Sequence, residues 1–363
     1  MYRSDDAASA RGESLVFTER LMPGKLVGLS FKNGLLNIVT LTLYRFWAKT
    51  EVRRRIWNGI SLNDEPLEYT GRGMELFLGF LLALVLVVLP LLIVVFTAQF
   101  LAPQLAILII LPVYLVLFYL MGFGRFTAFR YLASRTSWRG VRFALTGSPW
   151  RYGWNYIGNM LLIGITLGWF APAAERRLAA PLWDGLRFGD RVFRFDIDRA
   201  RKVGLYAPFT LFWVGGVVLY AVFVGVMVGR MATLMPETPT EPSLAFVGFV
   251  YGALFVWVLF MTVLSAPYQA AVLRTLAAGT SLEGASFSFK VGWMELAGLM
   301  LTNLLLVIFT LGFLYPVMEA RTARFLIRRL RSEGVVDLAA ARQADQGPRT
   351  GEGLADAFGM ATV

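Results

Sequence analysis

Two patterns of hydrophobic and polar positions alternate along this chain. The first is long and uncharged. No charged residue occurs from Leu76 to Gly124, and none from Val203 to Gly229. A helix needs about 20 apolar residues to cross a bilayer core, so the pattern predicts spans at Leu76–Ala98, Leu105–Gly124, Val203–Gly229 and Leu244–Pro267. The stretches Tyr152–Ala174 and Leu296–Met318 are also uncharged and long enough to cross. The second pattern is short and alternating: Leu15–Arg20, Val141–Thr146 and Ala285–Lys290 have the period of two expected of strands.

The chain also resembles itself. NGLLNIVTL from Asn33, NMLLIGITL from Asn159 and NLLLVIFTL from Asn303 all fit N-x-L-L-x-x-x-T-L. The register holds without gaps, because Phe17, Phe143 and Phe287 keep the offsets of 126 and 144 set by the asparagines. Copies two and three share T-L-G-x-x-x-P-x-x-E, ending at Glu175 and Glu319. Each copy reads as a strand, an apolar helix, a break at T-L-G or T-L-T, and a basic amphipathic helix; in copies two and three Pro172 and Pro316 sit near its start, where proline is tolerated. LEYTG and DRVFRFDID then close copies one and two with a further alternating segment.

The fold class predicted is therefore a predominantly α polytopic membrane protein. It has two transmembrane helical hairpins (four spans, or six if the repeat helices cross) and three strand–helix–helix repeats on the cytoplasmic side. The repeats occupy 15–71, 125–198 and 268–332, and the hairpins 75–124 and 203–267. The ends, 1–14 and 333–363, read as flexible. Charge favours four spans: the loops QFLAPQ and RMATLMPETPTEPS hold one basic residue between them, Arg230, and the flanking segments hold nearly all the rest. Cytoplasmic segments are the ones enriched in Lys and Arg, so both loops are expected outside and both termini inside. The polar, acidic N-terminal stretch does not read as a signal peptide.

Composition agrees with this class. Of 363 residues 57% are hydrophobic, mean hydropathy is +0.60, and 16% are charged where soluble domains carry about 25%. The net charge of +11 then marks membrane sidedness, and no nucleic-acid partner is expected. Cysteine and histidine are absent, which removes disulfides, thiol nucleophiles, imidazole ligands and the commonest general base. No cofactor, metal or catalytic group is expected, and the chain does not read as an enzyme. Asp64, Glu65, Glu68, Asp184, Asp190, Asp196 and Asp198 lie in strand-like segments of the kind that carry solvated carboxylates routinely.

Two groups of residues remain as candidates. Asn33/Thr40, Asn159/Thr166 and Asn303/Thr310 are spaced by seven and so lie on one side of a helix; such stripes are either helix-to-helix glue or the lining of a shared site or pore. Arg45, Lys49 and Arg53 recur every four residues, with Arg54 and Arg55 beside them, and copy three carries Arg321, Arg324 and Arg328. These cations, with Phe46 and Trp57, suit membrane lipids with anionic head groups or are ordinary positive-inside charge. The end GEGLADAFGM places Leu354 and Phe358 on one side of a helical turn, a possible contact for a protein partner.

The run YRFWAKTEVRRRIWNG, followed by EPLEYTGRGMELFLGF, resembles the signature segment of the YjgN family of bacterial inner-membrane proteins. The similarity runs from about Leu15 to Arg331, and the terminal GEGLADAF is similar to tails in that family. The resemblance implies a multi-pass inner-membrane protein and carries no activity, substrate or catalytic residues. Read together, the features suggest a lipid-interacting scaffold or envelope-associated protein, with a small-solute transporter or channel as the alternative.

Overall fold

The structure, a computed structural model, describes residues 13–101, 106–234, 244–338 and 341–342. The chain opens with β1 (Glu13–Ser14), β2 (Phe17–Glu19), helices α1 (Val27–Val39) and α2 (Arg45–Asn58), then β3 (Ile60–Leu62), β4 (Glu65–Pro66) and β5 (Glu68–Tyr69). Helix α3 (Gly73–Ala83) runs through a π turn at Leu84–Val88 into α4 (Leu89–Leu101), and α5 (Ala106–Ser134) returns. The π turn sits just before Pro90, which lacks an N–H and crowds the carbonyl four residues back, so the helix widens there.

The second segment is β6 (Thr136–Trp138), β7 (Val141–Leu145), α6 (Pro149–Ile165), α7 (Ala171–Gly185), β8 (Leu186–Phe188), β9 (Arg191–Phe195) and the short α8 (Ile197–Lys202). Helices α9 (Tyr206–Leu234) and α10 (Leu244–Gly279) follow. The third segment is β10 (Thr280–Leu282), β11 (Ala285–Phe289), α11 (Trp293–Phe309), α12 (Tyr315–Arg329), β12 (Leu330–Glu333) and β13 (Val335–Val336).

Among the described residues, four helices are long and apolar enough to cross a membrane: Gly73–Phe100, Leu108–Ser134, Tyr206–Met231 and Leu244–Gly279. Two of them outrun the predicted spans. Helix α5 continues past Gly124 to Ser134 and α10 past Pro267 to Gly279, each delivering the chain directly into a strand.

The strands pair antiparallel, in registers that share the sequence offsets. Phe17 faces Leu62, Phe143 faces Phe188 and Phe287 faces Ser332. Here 143 − 17 and 188 − 62 are both 126, and 287 − 143 and 332 − 188 are both 144. Pairs between segments behave alike: Tyr69 faces Thr136 and Phe195 faces Thr280, again shifted by 126 and 144. Glu13 faces Val336 in the same register, so the last segment pairs back onto the first. Strands β5 to β12 form one eight-stranded sheet, and chain continuity through β13–β1 and β2–β3–β4 completes a circuit.

Every helical excursion leaves this circuit and comes back beside its point of departure. Glu19 faces Ile60 across the α1–α2 pair, Leu145 faces Leu186 across α6–α7, and Phe289 faces Leu330 across α11–α12. The stretches Tyr152–Ala174 and Leu296–Met318 are thus not single continuous helices. Each is split by a turn, at 166–170 and 310–314, into an outward and a returning helix.

One core fills the inside of the circuit. Leu15, Leu62, Trp138, Phe188, Leu282 and Val336, drawn from all three segments, are buried together, with Phe17, Phe143 and Phe287 packed against them. Phe17 and Phe287 have ring centroids 6.3 Å apart, and Phe143 and Phe188 are at 4.9 Å. The circuit encloses packed aromatic rings.

Candidate functional site: three helical hairpin tips

The T-L motifs form the tips of the three helix pairs, and the same hydrogen bonds build each one. The Thr40 hydroxyl donates to the Leu36 carbonyl at 2.7 Å and accepts the Tyr44 N–H at 3.0 Å. Thr166 does the same with Leu162 and Phe170, at 2.7 and 3.0 Å. Thr310 repeats it with Leu306 and Leu314, at 2.6 and 3.3 Å. Each threonine therefore ties the last turn of one helix to the first turn of the next.

The residue after each threonine takes a left-handed conformation: Leu41, Leu167 and Leu311 have φ of 48°, 49° and 51°. That costs a non-glycine residue about 1–2 kcal/mol. The next N–H reaches back five residues to close the helix end, from Thr42 to Asn37, Gly168 to Ile163 and Gly312 to Val307, at 2.6, 2.7 and 2.8 Å. This is the closure that normally recruits glycine, and glycine supplies it in two tips of three.

The tips are apolar and uncovered. Leu41, Leu167 and Leu311 are 84%, 75% and 88% exposed, and Val39, Ile165 and Phe309 beside them are exposed as well. Soluble surfaces seldom group large aliphatic side chains this way, and such patches mark interaction with a membrane or a partner. The apolar helices place two tips against spanning helices. Trp213 of α9 donates its indole N–H to the Leu167 carbonyl at 2.9 Å. Phe309 meets Phe255 of α10 edge-on at 6.4 Å. Helix α1 of the first hairpin instead packs on the third tip: Phe313 lies so close over Gly34 that any side chain there would collide with its ring, and Phe31 stands 5.8 Å away.

The three asparagines are all buried, and they differ. Asn303 donates to the Thr322 hydroxyl at 3.1 Å, joining α11 to α12. Asn159 donates to the Asn155 carbonyl within its own helix at 2.7 Å. Asn33 has neither amide atom hydrogen-bonded among the described residues. Among the described residues no hydrogen bond joins one stripe to another: the threonines turn the chain, and the asparagines differ in their partners.

The basic helix also divides. Arg45 is exposed and stacks at 4.8 Å on both Phe46 and Phe80. Arg54 donates to the Gly71 carbonyl at 3.4 Å, and Arg55 pairs with Glu51 at 3.3 Å. Lys49 is half-buried. Arg53 corrects the expectation of a single head-group face, because it is only 3% exposed and lies 5.9 Å over the Tyr69 ring. The helix runs from the tip to the strands, so its far end is covered by the core. Arg324 and Arg328 are likewise engaged, both on Glu19 at 3.1 and 2.6 Å, and Arg321 donates to the Thr302 hydroxyl at 2.9 Å.

The seven carboxylates proposed as routine are mostly tied into local structure. Asp184 accepts the Phe195 N–H, Asp196 caps α8, Glu65 pairs with Arg139, and Asp190 accepts the Arg342 N–H. Among the described residues no group of three or more acidic, cysteine or histidine side chains could hold a metal ion. Leu354 and Phe358 of the tail lie outside the described residues.

One residue escaped the candidate set. Glu175, in the first turns of α7, has its carboxyl pushed up from the ordinary value by burial, with Arg125 opposing. The P-x-x-E ending of the second copy was the signal for it.

These features define a class: a polytopic membrane protein with a strand circuit from which spanning helices and shorter apolar hairpins both project. The chain belongs to the family described as "Bacterial protein of unknown function (DUF898)", whose model matches residues 22–357. It is also similar to the inner membrane protein YjgN of Salmonella typhimurium strain LT2, 28% identical over 154 residues, which are 42% of this chain and 36% of that protein. The match thus spans little more than a third of that relative's length. No solved structure matches the chain.

Proposed function

We propose that this chain is a non-enzymatic, multi-pass inner-membrane scaffold that works on lipid. The strand circuit is built from three copies of one unit on the cytoplasmic face, and it lays three short helical hairpins into the adjoining leaflet. The observation that carries this reading is where the tips sit. Trp213 lies seven residues into α9, about 10 Å along it at 1.5 Å per residue. Phe255 lies twelve residues before Pro267, the expected cytoplasmic end of its span, about 18 Å along α10. Tips held at those heights beside spanning helices belong in hydrocarbon, which is where their exposed leucines have a favourable environment.

Several further features support the reading. Non-helical backbone at membrane depth must satisfy its own polar groups or be covered by protein, and the threonine and helix-end bonds do so at each tip. The similarity to an inner membrane protein supports the location, and the excess of Lys and Arg outside the spans favours the cytoplasmic side for the circuit. The channel alternative has less to draw on, since the threonines are spent on the tips and aromatic rings fill the circuit.

The chain has no native cysteine, so single cysteines at positions 41, 167 and 311 can each carry a nitroxide label in reconstituted membranes. We expect relaxation by lipid-soluble oxygen and protection from a water-soluble nickel chelate. A chelate-accessible label at the tips would overturn the lipid-embedded reading. Solute flux in the same liposomes, abolished by Thr166→Val, would favour the channel.

A further inference from the structure

Where the second helical hairpin meets the second pair of spanning helices, there are polar groups that the tips do not use. Arg176 of α7 is only 9% exposed. Among the described residues its guanidinium has no ion pair and no hydrogen bond, only the face of Tyr206 at 5.9 Å. A buried cation without a counter-charge is costly, so this environment is incomplete as it stands. Tyr268 of α10 is the second observation. It too is buried, and its hydroxyl has no hydrogen-bond partner. Glu175, Arg176 and Tyr206 are all close enough to act on it electrostatically.

The surroundings specify what would complete the site. Tyr206 is the first residue of α9, and Tyr268 follows Pro267, where the apolar span within α10 is expected to end, so both stand at the end of their spans, the level of lipid head groups. Tyr206 is exposed and leaves the guanidinium at the lip of the protein. The adjoining wall is the face of α9 that continues from Tyr206 into the span with half-buried Trp213 and exposed Val217, seven and eleven residues on. A small inorganic anion would use the cation and the hydroxyl but not this wall. A lipid uses both.

We propose that Arg176, Tyr268 and Tyr206 form a binding site for the phosphodiester of an anionic phospholipid, with its acyl chains lying along α9. The proposal rests on the lipid-scaffold reading and adds a ligand class to it. The guanidinium supplies paired donors matched to phosphate oxygens, and the Tyr268 hydroxyl supplies a third. Arg125, close enough to act on Glu175, adds positive potential. Burial pushes the neighbouring Glu175 carboxyl up from its ordinary value, which lessens its opposition to an anion.

The test uses the full chain in maltoside detergent, with thermal unfolding followed as dioleoyl-phosphatidylglycerol, dioleoylglycerol or inorganic phosphate is added. A ligand that binds only the folded state raises Tm with its concentration. Phosphatidylglycerol is expected to stabilise the wild type and Arg177→Gln alike. In Arg176→Gln its apparent affinity should fall about tenfold or more, as expected for loss of charge-assisted hydrogen bonds. Tyr268→Phe removes one hydroxyl, should weaken binding by a smaller factor, and decides the matter if Arg176→Gln does not fold. Undiminished phosphatidylglycerol stabilisation in Arg176→Gln, or in Tyr268→Phe where that variant decides, overturns the site. Equal stabilisation by inorganic phosphate assigns it to a free anion instead, and equal stabilisation by dioleoylglycerol leaves only an acyl groove; both overturn the proposal. The nitroxide labels at the tips separate the two readings: tips in lipid with an indifferent Arg176→Gln remove the site alone, whereas tips in water remove the scaffold beneath it.

Discussion

The joins between the three segments are built in two ways. β5 reaches β6, and β9 reaches β10, by way of a pair of spanning helices. The join from β13 to β1 pairs the last and first strands among the described residues and has no such link. At the first two joins an ion pair crosses at equivalent positions with the signs exchanged: Glu65 with Arg139 at 2.7 Å, and Arg191 with Glu283 at 2.9 Å. At the third, Val335 stands where the partner would be, and the contact has moved to Glu19. Its carboxylate accepts from both Arg324 and Arg328, while the Ser332 hydroxyl donates to the Leu15 carbonyl.

Exposure separates the two solutions. The side chains of Glu65 and Glu283 are 49% and 36% exposed, against 6% for Glu19. Exposed pairs contribute about 0.2–1 kcal/mol, so the linked joins do not depend on them. The unlinked join does depend on its side chains.

The largest expected effect tests the shared core. Trp138 is fully buried, and its indole donates to the Leu62 carbonyl at 3.1 Å. Trp138→Ala should cost about 3–5 kcal/mol in reversible unfolding; a loss under 1 kcal/mol would mean that the first join does not share the common core. Glu19→Gln should cost about 1–3 kcal/mol, between the values for charged hydrogen bonds and for exposed pairs. Amide exchange should rise at Glu13–Ser14 and Val335–Val336 while Thr280–Leu282 stays protected. Uniform exchange across all three joins would erase the distinction.

Two glutamates should respond to pH in opposite directions. Burial raises the Glu19 carboxyl, but hydrogen bonds from Arg328, Arg324 and the Leu21 N–H outweigh it and hold the group below its ordinary value. Its stabilisation is present above the unfolded value and disappears as pH falls through the folded one, so acid should open the β13–β1 join first. Glu175 is raised, by burial, so its contribution is present below the unfolded value and lost as pH rises through the folded one. Glu175→Gln should flatten the fall in stability as pH rises above the ordinary carboxylate range; an unchanged profile would show that the carboxyl is well solvated. The smallest effect belongs to Arg139→Glu, under about 1 kcal/mol, and Glu65→Arg in the same chain should restore it by recreating the exchanged pair of the second join.

Much of this architecture was legible because two signals are strong in one sequence. Charge-free runs located the spanning helices, and the gapless offset of Phe17, Phe143 and Phe287 carried the strand registers. β6 and β10 were not legible, since three residues are too few to show alternation. The ends of α5 and α10 were missed because Arg125 and Pro267 read as the edges of spans, although both helices continue beyond them. Burial of Arg53 could not be read from spacing: a four-residue period gives a helix face but not which end of it the core covers. Glu175 was visible as a repeated letter, but its environment depends on helices far away in the chain.

The pairing of Glu13 with Val336 also has a consequence for biosynthesis. Glu13 is made 323 residues before its partner Val336 (336 − 13). At about 5–20 residues per second the delay is on the order of tens of seconds. Through that interval β1 is an open edge, able to accept a strand from any neighbour, while the membrane helices are already being inserted. The ring is therefore sealed last, by its two ends.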